Sequence, residues 1–92
     1  MDEAPLWHIE FDRDAARDLR KLGAQAQQLI LRYLRQRIAT TADPRRFGKP
    51  LTGDLKGLWR YRVGDYRIVA SIEDDRFVVL IVTVGHRREV YD

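Results

Sequence analysis

Apolar and polar residues alternate along three stretches of the chain, and this period of two predicts β-strands. The stretches are residues 6–11, 57–63 and 66–73. Gly64-Asp65 separates the last two, and a two-residue loop with glycine first is typical of a tight hairpin. A fourth stretch, 77–84, is almost entirely apolar and β-branched, which indicates a central strand covered on both faces.

Apolar residues recur at helical spacing over 15–22 and again over 24–39, which predicts two helices joined by Gly23. Asp12 is the expected N-cap of the first helix, and Gly23 is expected to end it in a left-handed conformation. Pro44 lies just beyond the second helix and helps to end it. Three arginines of the second helix are interpreted by default as a solvated face: Arg32, Arg35 and Arg37.

The order strand, helix, helix, then three strands predicts an α+β fold. We expect an αα-hairpin packed on one face of a four-stranded sheet, whose last three strands form an antiparallel meander. With a tight turn at Asp74-Asp75, Arg67 would lie opposite Val82. The 92 residues are expected to form one domain over 6–92 after a loose leader, 1–5. The apolar runs are too short to span a bilayer and no signal-peptide pattern is present, so we predict a cytoplasmic protein without membrane contact.

Positive charge is concentrated in the middle of the chain. The net charge is +3, yet residues 45–67 hold seven basic and two acidic side chains. Such a block suits a phosphate-rich partner. Four of these side chains are predicted to bind RNA: Arg45, Arg46, Lys49 and Lys56.

Several kinds of site are disfavoured by the composition. There is no cysteine, and the two histidines show no ligand spacing with carboxylates, so we predict neither a metal nor a cofactor. No glycine-rich nucleotide loop is present. Ser71 is the only serine and lies in mid-strand, which argues against a catalytic triad.

The hairpin places Arg62 opposite Arg67, so Arg60, Arg62 and Arg67 are expected on one sheet face, which we predict to be open to solvent. Like charges placed directly opposite repel, and their gathering suggests an anion site. The alternative is a solvated face whose arginines lie apart. Three later residues complete the candidate cluster: His86, Arg87 and Tyr91. His86 is either catalytic or an ordinary histidine at a strand end, and Tyr91 either contacts substrate or packs as a terminal ring.

Five segments together carry a resemblance to a known family. They are Phe11-Asp12, Lys21-Leu22-Gly23, Leu51-Thr52-Gly53, residues 64–69 and residues 84–91. In this order, residues 6–91 resemble the RelE family of bacterial toxins within the RelE/ParE superfamily. The resemblance implies a ribosome-dependent endoribonuclease that cleaves mRNA in the A site. It also implies a metal-free reaction in which the 2′-hydroxyl attacks the adjacent phosphate.

The resemblance also implies roles for residues. Arg67 and Arg87 match active-site arginines of the family, and Tyr91 matches its C-terminal tyrosine. Arg60 and Arg62 occupy positions where relatives often carry lysine, and arginine stays protonated, so it does not readily serve as a base. The general base is then Tyr91, His86 or Lys56.

The implied partners are a RelB-type antitoxin, the ribosome with its mRNA, and operator DNA only through the toxin–antitoxin complex. Two alternatives remain open. One is a ParE-like toxin that inhibits DNA gyrase without cleaving RNA, and the other is a degenerate toxin that survives as an antitoxin-binding corepressor.

Overall fold

The computed structural model describes residues 4–88 and residue 90. A five-stranded sheet carries two helices. The strands are β1 (His8–Phe11), β2 (Lys49–Pro50), β3 (Trp59–Val63), β4 (Tyr66–Glu73) and β5 (Val78–His86). The helices are α1 (Arg13–Lys21) and α2 (Ala24–Tyr33), and α2 continues into a π-helical turn, Leu34–Ile38.

The strands lie in the order β1-β5-β4-β3-β2. β1 pairs with β5 in parallel, and the other neighbours are antiparallel. The predicted α+β fold is confirmed, with β2 as an additional short strand that the sequence analysis did not predict. Pro50 argued against a strand here, because proline is tolerated in a strand only at a sheet edge or a bulge. β2 is such an edge strand.

The first helix begins as its sequence indicated. The Asp12 carboxylate accepts a hydrogen bond from the Ala15 N–H at 2.8 Å, which satisfies one of the exposed donors of the first turn. Gly23 has the positive φ expected of it, at 91°, but its ψ of 168° is extended rather than left-handed helical. Gly23 therefore also turns the chain into α2, as its N-cap residue.

The main core lies between the helices and one face of the sheet, as predicted. The fully buried side chains from the helical layer include Ile30, Leu34 and Ile38, and those from the sheet include Tyr61 and Ile68. The Tyr61 hydroxyl donates to the Pro44 carbonyl at 2.8 Å. This bond ties the segment after the π-helical turn to the centre of β3.

The opposite face of the sheet is not open, contrary to expectation. Residues 51–58 fold across it, and a smaller apolar cluster forms there from Leu51, Val69 and Val90, with Leu55, Leu58 and Val82 packed against it. The apolar residues of this segment need cover, and the exposed sheet face supplies it. As a result Arg60 and Arg67 retain only 7% and 6% exposure.

The pairing of β4 with β5 also differs from expectation. The connection spans residues 74–77, with Phe77 at a φ of 52°, and the register shifts between Val69 and Ala70. Arg67 consequently lies opposite Gly85 rather than Val82. The longer connection and the bulge together move the end of β5 alongside the β3–β4 hairpin loop. Over residues 4–88 and 90, no helix is long and apolar enough to cross a membrane.

Candidate functional site

Strand register gathers basic residues on one side of the sheet. Lys49 is paired with Arg60, and Arg62 is paired with Arg67. Directly paired residues project from the same face, and side chains two positions apart along a strand share it. We call the face that carries Lys49, Arg60, Arg62 and Arg67 the arginine face. The predicted clustering of three arginines is therefore present in the backbone register.

Arg67 is held in place by the hairpin loop beside it. Its Nη1 donates to the carbonyl oxygens of Gly64 at 3.2 Å and Tyr66 at 3.1 Å. Gly64 adopts a φ of 58°, which L-residues reach only with strain, so the loop needs glycine there. These two bonds and the burial of Arg67 fix one edge of the guanidinium before any ligand arrives.

Arg87 reaches the same place from the end of β5. Its backbone N–H donates to the Asp65 carbonyl at 2.8 Å, and its Nη1 lies 3.9 Å from Asp65 Oδ1. Arg87 follows Gly85 by two positions, just beyond the end of β5, and Gly85 is paired with Arg67. Its side chain is 54% exposed. Our sequence reasoning missed Asp65 as the anchor of Arg87, although Asp65 follows Gly64 in the hairpin loop.

His86 lies on the other side of the sheet. It is paired with Tyr66, and their rings stand edge to face with centroids 6.1 Å apart. Its Nδ1 accepts a hydrogen bond from the Arg88 N–H at 3.3 Å. The structure thus does not bring His86 together with the arginines. Tyr91, the remaining candidate, lies outside the described residues.

The four residues predicted to bind RNA divide between the two sides of the sheet. Lys49 belongs to the arginine face, and Lys56 is exposed in the segment that covers that face. Arg45 instead lies over the Trp59 ring, 5.8 Å from its centroid, and donates to Asp74 Oδ1 at 3.1 Å. This hydrogen bond raises the pKa of Arg45 and lowers the pKa of Asp74.

Arg46 lies over the Phe47 ring, with its guanidinium carbon 4.5 Å from the centroid. Arg45 and Arg46 are therefore already engaged by the protein itself, through an ion pair and an aromatic contact. Within the described part of the chain, no group of three or more histidine, aspartate or glutamate side chains is placed to hold a metal ion.

The arginine face is suited to a phosphate group. Guanidinium groups bind phosphate oxygens bidentately, and their charge does not depend on pH in the physiological range. A partly desolvated arginine interacts with an anion more strongly than one in water does. The apolar cluster around Val69 lies on the same face and lowers the local dielectric next to Arg60 and Arg67.

Comparison with known proteins agrees with this fold. Residues 9–91 match the family model of the ParE toxin of the type II toxin–antitoxin system parDE. Toxin RelE of Mycobacterium tuberculosis is 34% identical over 91 residues, covering 99% of this chain and 92% of the relative. Toxin RelG of the same organism is 32% identical over 83 residues, covering 90% and 93%.

Solved structures of toxins also match this chain. The toxin–antitoxin complex RelBE2 of M. tuberculosis contains a chain with a TM-score of 0.82 and 31% identity, covering 95% of this chain and 98% of that one. The isolated Escherichia coli RelE toxin matches at a TM-score of 0.68 and 22% identity, covering 87% and 83%, which supports the fold alone. The fold and these matches define a toxin of a type II toxin–antitoxin system. The chain belongs to the RelE/ParE family of such toxins, which confirms the resemblance to RelE.

Proposed function

We propose that this toxin is a ribosome-dependent endoribonuclease that cleaves mRNA in the A site. One observation carries the proposal: Arg62 and Arg67 are paired on one sheet face, and Arg87 comes just after the end of β5, bonded through its backbone N–H to the loop that joins β3 to β4. Arginines placed directly opposite on neighbouring strands repel one another, and guanidinium groups bind phosphate oxygens bidentately. A phosphodiester bound between them would offset that repulsion.

The proposed reaction breaks one bond and forms another at the same phosphorus. The 2′-oxygen of the ribose attacks the adjacent phosphorus, the P–O5′ bond breaks, and the products are a 2′,3′-cyclic phosphate and a free 5′-hydroxyl. The 2′-hydroxyl gives up its proton and the departing 5′-oxygen gains one. Negative charge builds up on the phosphoryl oxygens in the transition state, where preorganised cations lower the barrier.

The roles follow from burial and position. Arg67, fixed by the carbonyls of Gly64 and Tyr66, and Arg87, exposed at the rim, clamp the scissile phosphate. Arg60 and Arg62 position the flanking strand. Lys49 extends the cationic face toward the sheet edge at β2 and contacts RNA there. Arg45 and Arg46, which contact Asp74 and the Phe47 ring within the protein, have a secondary role in RNA binding on the helical side. No step is assigned to a metal or cofactor.

The proton acceptor is a separate question, since arginine is a poor base. Tyr91 lies outside the described residues, and His86 lies across the sheet from the arginines. Lys56 sits in the segment that packs over the arginine face, at the end of the 3-10 turn Gly53–Leu55. Among the described candidates, Lys56 therefore has the best position, and Tyr91 stays a candidate for stacking or proton transfer.

A second candidate function is inhibition of DNA gyrase, which the match to a ParE family model favours. Such a toxin would act by contact and would need no phosphate clamp. The arginine face has no role in that account, so we place it second.

The proposed partners follow from the structural relatives. Several are toxin–antitoxin complexes, including the intact E. coli RelBE complex and an archaeal RelE–RelB complex. We propose that a RelB-type antitoxin holds this toxin inactive in the bacterial cytoplasm, and that operator DNA is contacted only by the complex. We also propose that residues 6–92 form a single toxin domain.

Inducible expression without antitoxin tests the proposal. Mapping mRNA 5′ ends on ribosomes should reveal breaks phased with codons, and DNA damage signalling should stay at its uninduced level. Intact messages together with gyrase-dependent DNA breaks would overturn the nuclease proposal in favour of the second candidate. Harmless expression would leave only an antitoxin-binding corepressor.

A further inference from the structure

A second basic surface lies beside β3, on the side of the helices. β2 pairs only with Trp59 and Arg60, and beyond them α2 runs along the rest of β3. Between α2 and β3 lies a groove of about 340 Å³. Arg32, Tyr33, Gln36 and Arg37 line it from the helical side, and Arg62 lines it from β3. We call this feature the α2 groove; no carboxylate is among its described lining residues.

The charge on this helix is unbalanced, which distinguishes it from α1. From Ala24 to Ile38 the chain holds Arg32, Arg35 and Arg37 and no acidic residue. None of these three arginines forms an ion pair with a carboxylate of the described residues.

On α1, by contrast, Arg17 lies within 3.6 Å of both Asp14 and Asp18. A solvated helix face usually intersperses both signs of charge, as α1 does. The default interpretation of the α2 arginines as a solvated face therefore explains them poorly.

An exposed aromatic ring adjoins the groove. Phe47 retains 37% exposure, with the Arg37 guanidinium carbon 5.4 Å and the Arg46 guanidinium carbon 4.5 Å from its ring centroid. Exposed aromatic rings among cations are the elements with which proteins bind single-stranded nucleic acid, because bases stack on the ring while phosphates pair with the cations. Phe47 and Arg37 thus connect the groove to a stacking platform.

We propose that the α2 groove binds a single strand of RNA, with its phosphates at Arg32 and Arg37 and one base on Phe47. The inference rests on the proposed function for its biological setting: the strand is ribosomal RNA, and the groove anchors the toxin while the arginine face holds mRNA. Arg62 lines the groove and belongs to the arginine face, so the two surfaces are continuous.

The chemistry of the groove favours RNA over an acidic protein segment. A docked amphipathic helix needs apolar anchors that recur at helical spacing. Leu29 is the one large apolar side chain of the groove that is exposed in the described residues. Three guanidiniums and one exposed ring suit a sugar–phosphate chain with unpaired bases.

The test measures binding apart from cleavage. The probe is a fluorescein-labelled 2′-O-methyl polyuridine of roughly twelve nucleotides, which lacks the 2′-hydroxyl that the proposed reaction needs. The full chain is titrated by anisotropy at several salt concentrations, and its association with purified 70S ribosomes is measured by co-sedimentation. The groove variants are Arg32→Gln/Arg37→Gln and Phe47→Leu. The matched control is Arg13→Gln/Arg20→Gln, which removes the same charge from exposed positions of α1.

We expect the arginine pair variant to lower the slope of log affinity against log salt by about 0.7 for each phosphate that the groove no longer neutralises. Phe47→Leu should weaken oligonucleotide binding by about five- to a hundredfold. Both should reduce ribosome association, while the control binds like the wild type and all variants unfold at similar temperatures.

Groove variants that bind the oligonucleotide and the ribosome as the control does would overturn the inference. Normal RNA binding with weakened antitoxin binding would overturn it in favour of an acidic protein segment. If the wild type cleaves no mRNA, the proposed function fails. The oligonucleotide titration still shows whether the α2 groove binds RNA.

Discussion

Arg62 and Arg67 lie directly opposite each other on neighbouring strands, a position where like charges weaken a sheet. Arg67 is at the same time almost fully buried and hydrogen-bonded to two carbonyls of its own hairpin. Like charges held at fixed positions suit a binding or catalytic site. We propose that this pair lies at the centre of the site.

Removing either clamp residue should abolish activity. For Arg67→Ala and Arg87→Ala we expect cleavage rates to fall on the order of a hundredfold or more, because each variant lacks a donor to charge that develops in the transition state. Growth arrest after induction and the rate of ribosome-bound mRNA cleavage measure the effect.

Arg76→Ala is the matched control, since Arg76 forms ion pairs with Glu10 and Glu73 away from the arginine face. Full toxicity of both clamp variants would refute the site assignment. Circular dichroism should give wild-type spectra for all three.

Inorganic phosphate should stabilise the toxin by occupying the clamp. Binding to the folded state alone adds about 1.4 kcal/mol to the free energy of unfolding at ten times the dissociation constant. Thermal unfolding in phosphate and in chloride of equal ionic strength measures this gain. The gain should vanish in Arg67→Ala and persist in Arg76→Ala. An equal gain in all three proteins would place the phosphate elsewhere.

Tyr61→Phe should destabilise the fold without changing its shape. The change removes the hydroxyl that donates to the Pro44 carbonyl and leaves that buried acceptor unsatisfied. We expect a loss of about 1–3 kcal/mol in the free energy of unfolding, measured by urea denaturation. Tyr33→Phe is the control, because Tyr33 is only half-buried and its ring lies 6.4 Å from that of Tyr61. An equal loss in both variants would contradict the importance of the Pro44 bond.

The same tyrosine predicts a pH dependence. Burial raises the pKa of the Tyr61 hydroxyl well above its usual value of 10.0. The unfolded chain therefore ionises this group first, so its contribution to stability is present below about pH 10 and is lost as the pH rises further. Tyr61→Phe should flatten the decline of the free energy of unfolding above about pH 10.

The Arg45–Asp74 ion pair predicts that the free energy of unfolding depends on pH in the acid range. The hydrogen bond from Arg45 lowers the pKa of Asp74, so the pair stabilises the fold above the unfolded pKa of about 3.9 and is lost as the pH falls through the lower folded value. Asp74→Asn should flatten the acid side of the stability curve. It should also change Trp59 fluorescence, since Arg45 lies over that ring. An unchanged acid profile would show that the pair carries no net stability.

Much of the fold could be predicted from the sequence because local signals are strong. Asp12 caps its helix as expected, and Gly64-Asp65 sets the β3–β4 register, which fixes Arg62 opposite Arg67. Period-two patterning then decides which face each arginine occupies.

The sequence-based predictions fail where packing between distant segments determines the strand register or the burial of a face. No local signal marks the bulge at Val69 and Ala70 or the positive φ of Phe77, and together they move Arg67 opposite Gly85. The cover over the arginine face depends on Leu51, Leu55 and Leu58 finding an apolar partner on the sheet. Nearness in sequence suggests that His86 joins the arginines, whereas its strand position directs it to the other face.

The central claim is that the arginine face cleaves an RNA phosphodiester, and single-turnover cleavage of mRNA bound in purified 70S ribosomes tests it most directly. The message carries either ribose or 2′-deoxyribose at one nucleotide of the A-site codon. We predict that the purified toxin cuts the ribose message, leaving a 2′,3′-cyclic phosphate and a 5′-hydroxyl, and that it leaves the deoxy message intact. Equal cutting of both messages, or no cutting of the ribose message, would contradict the account.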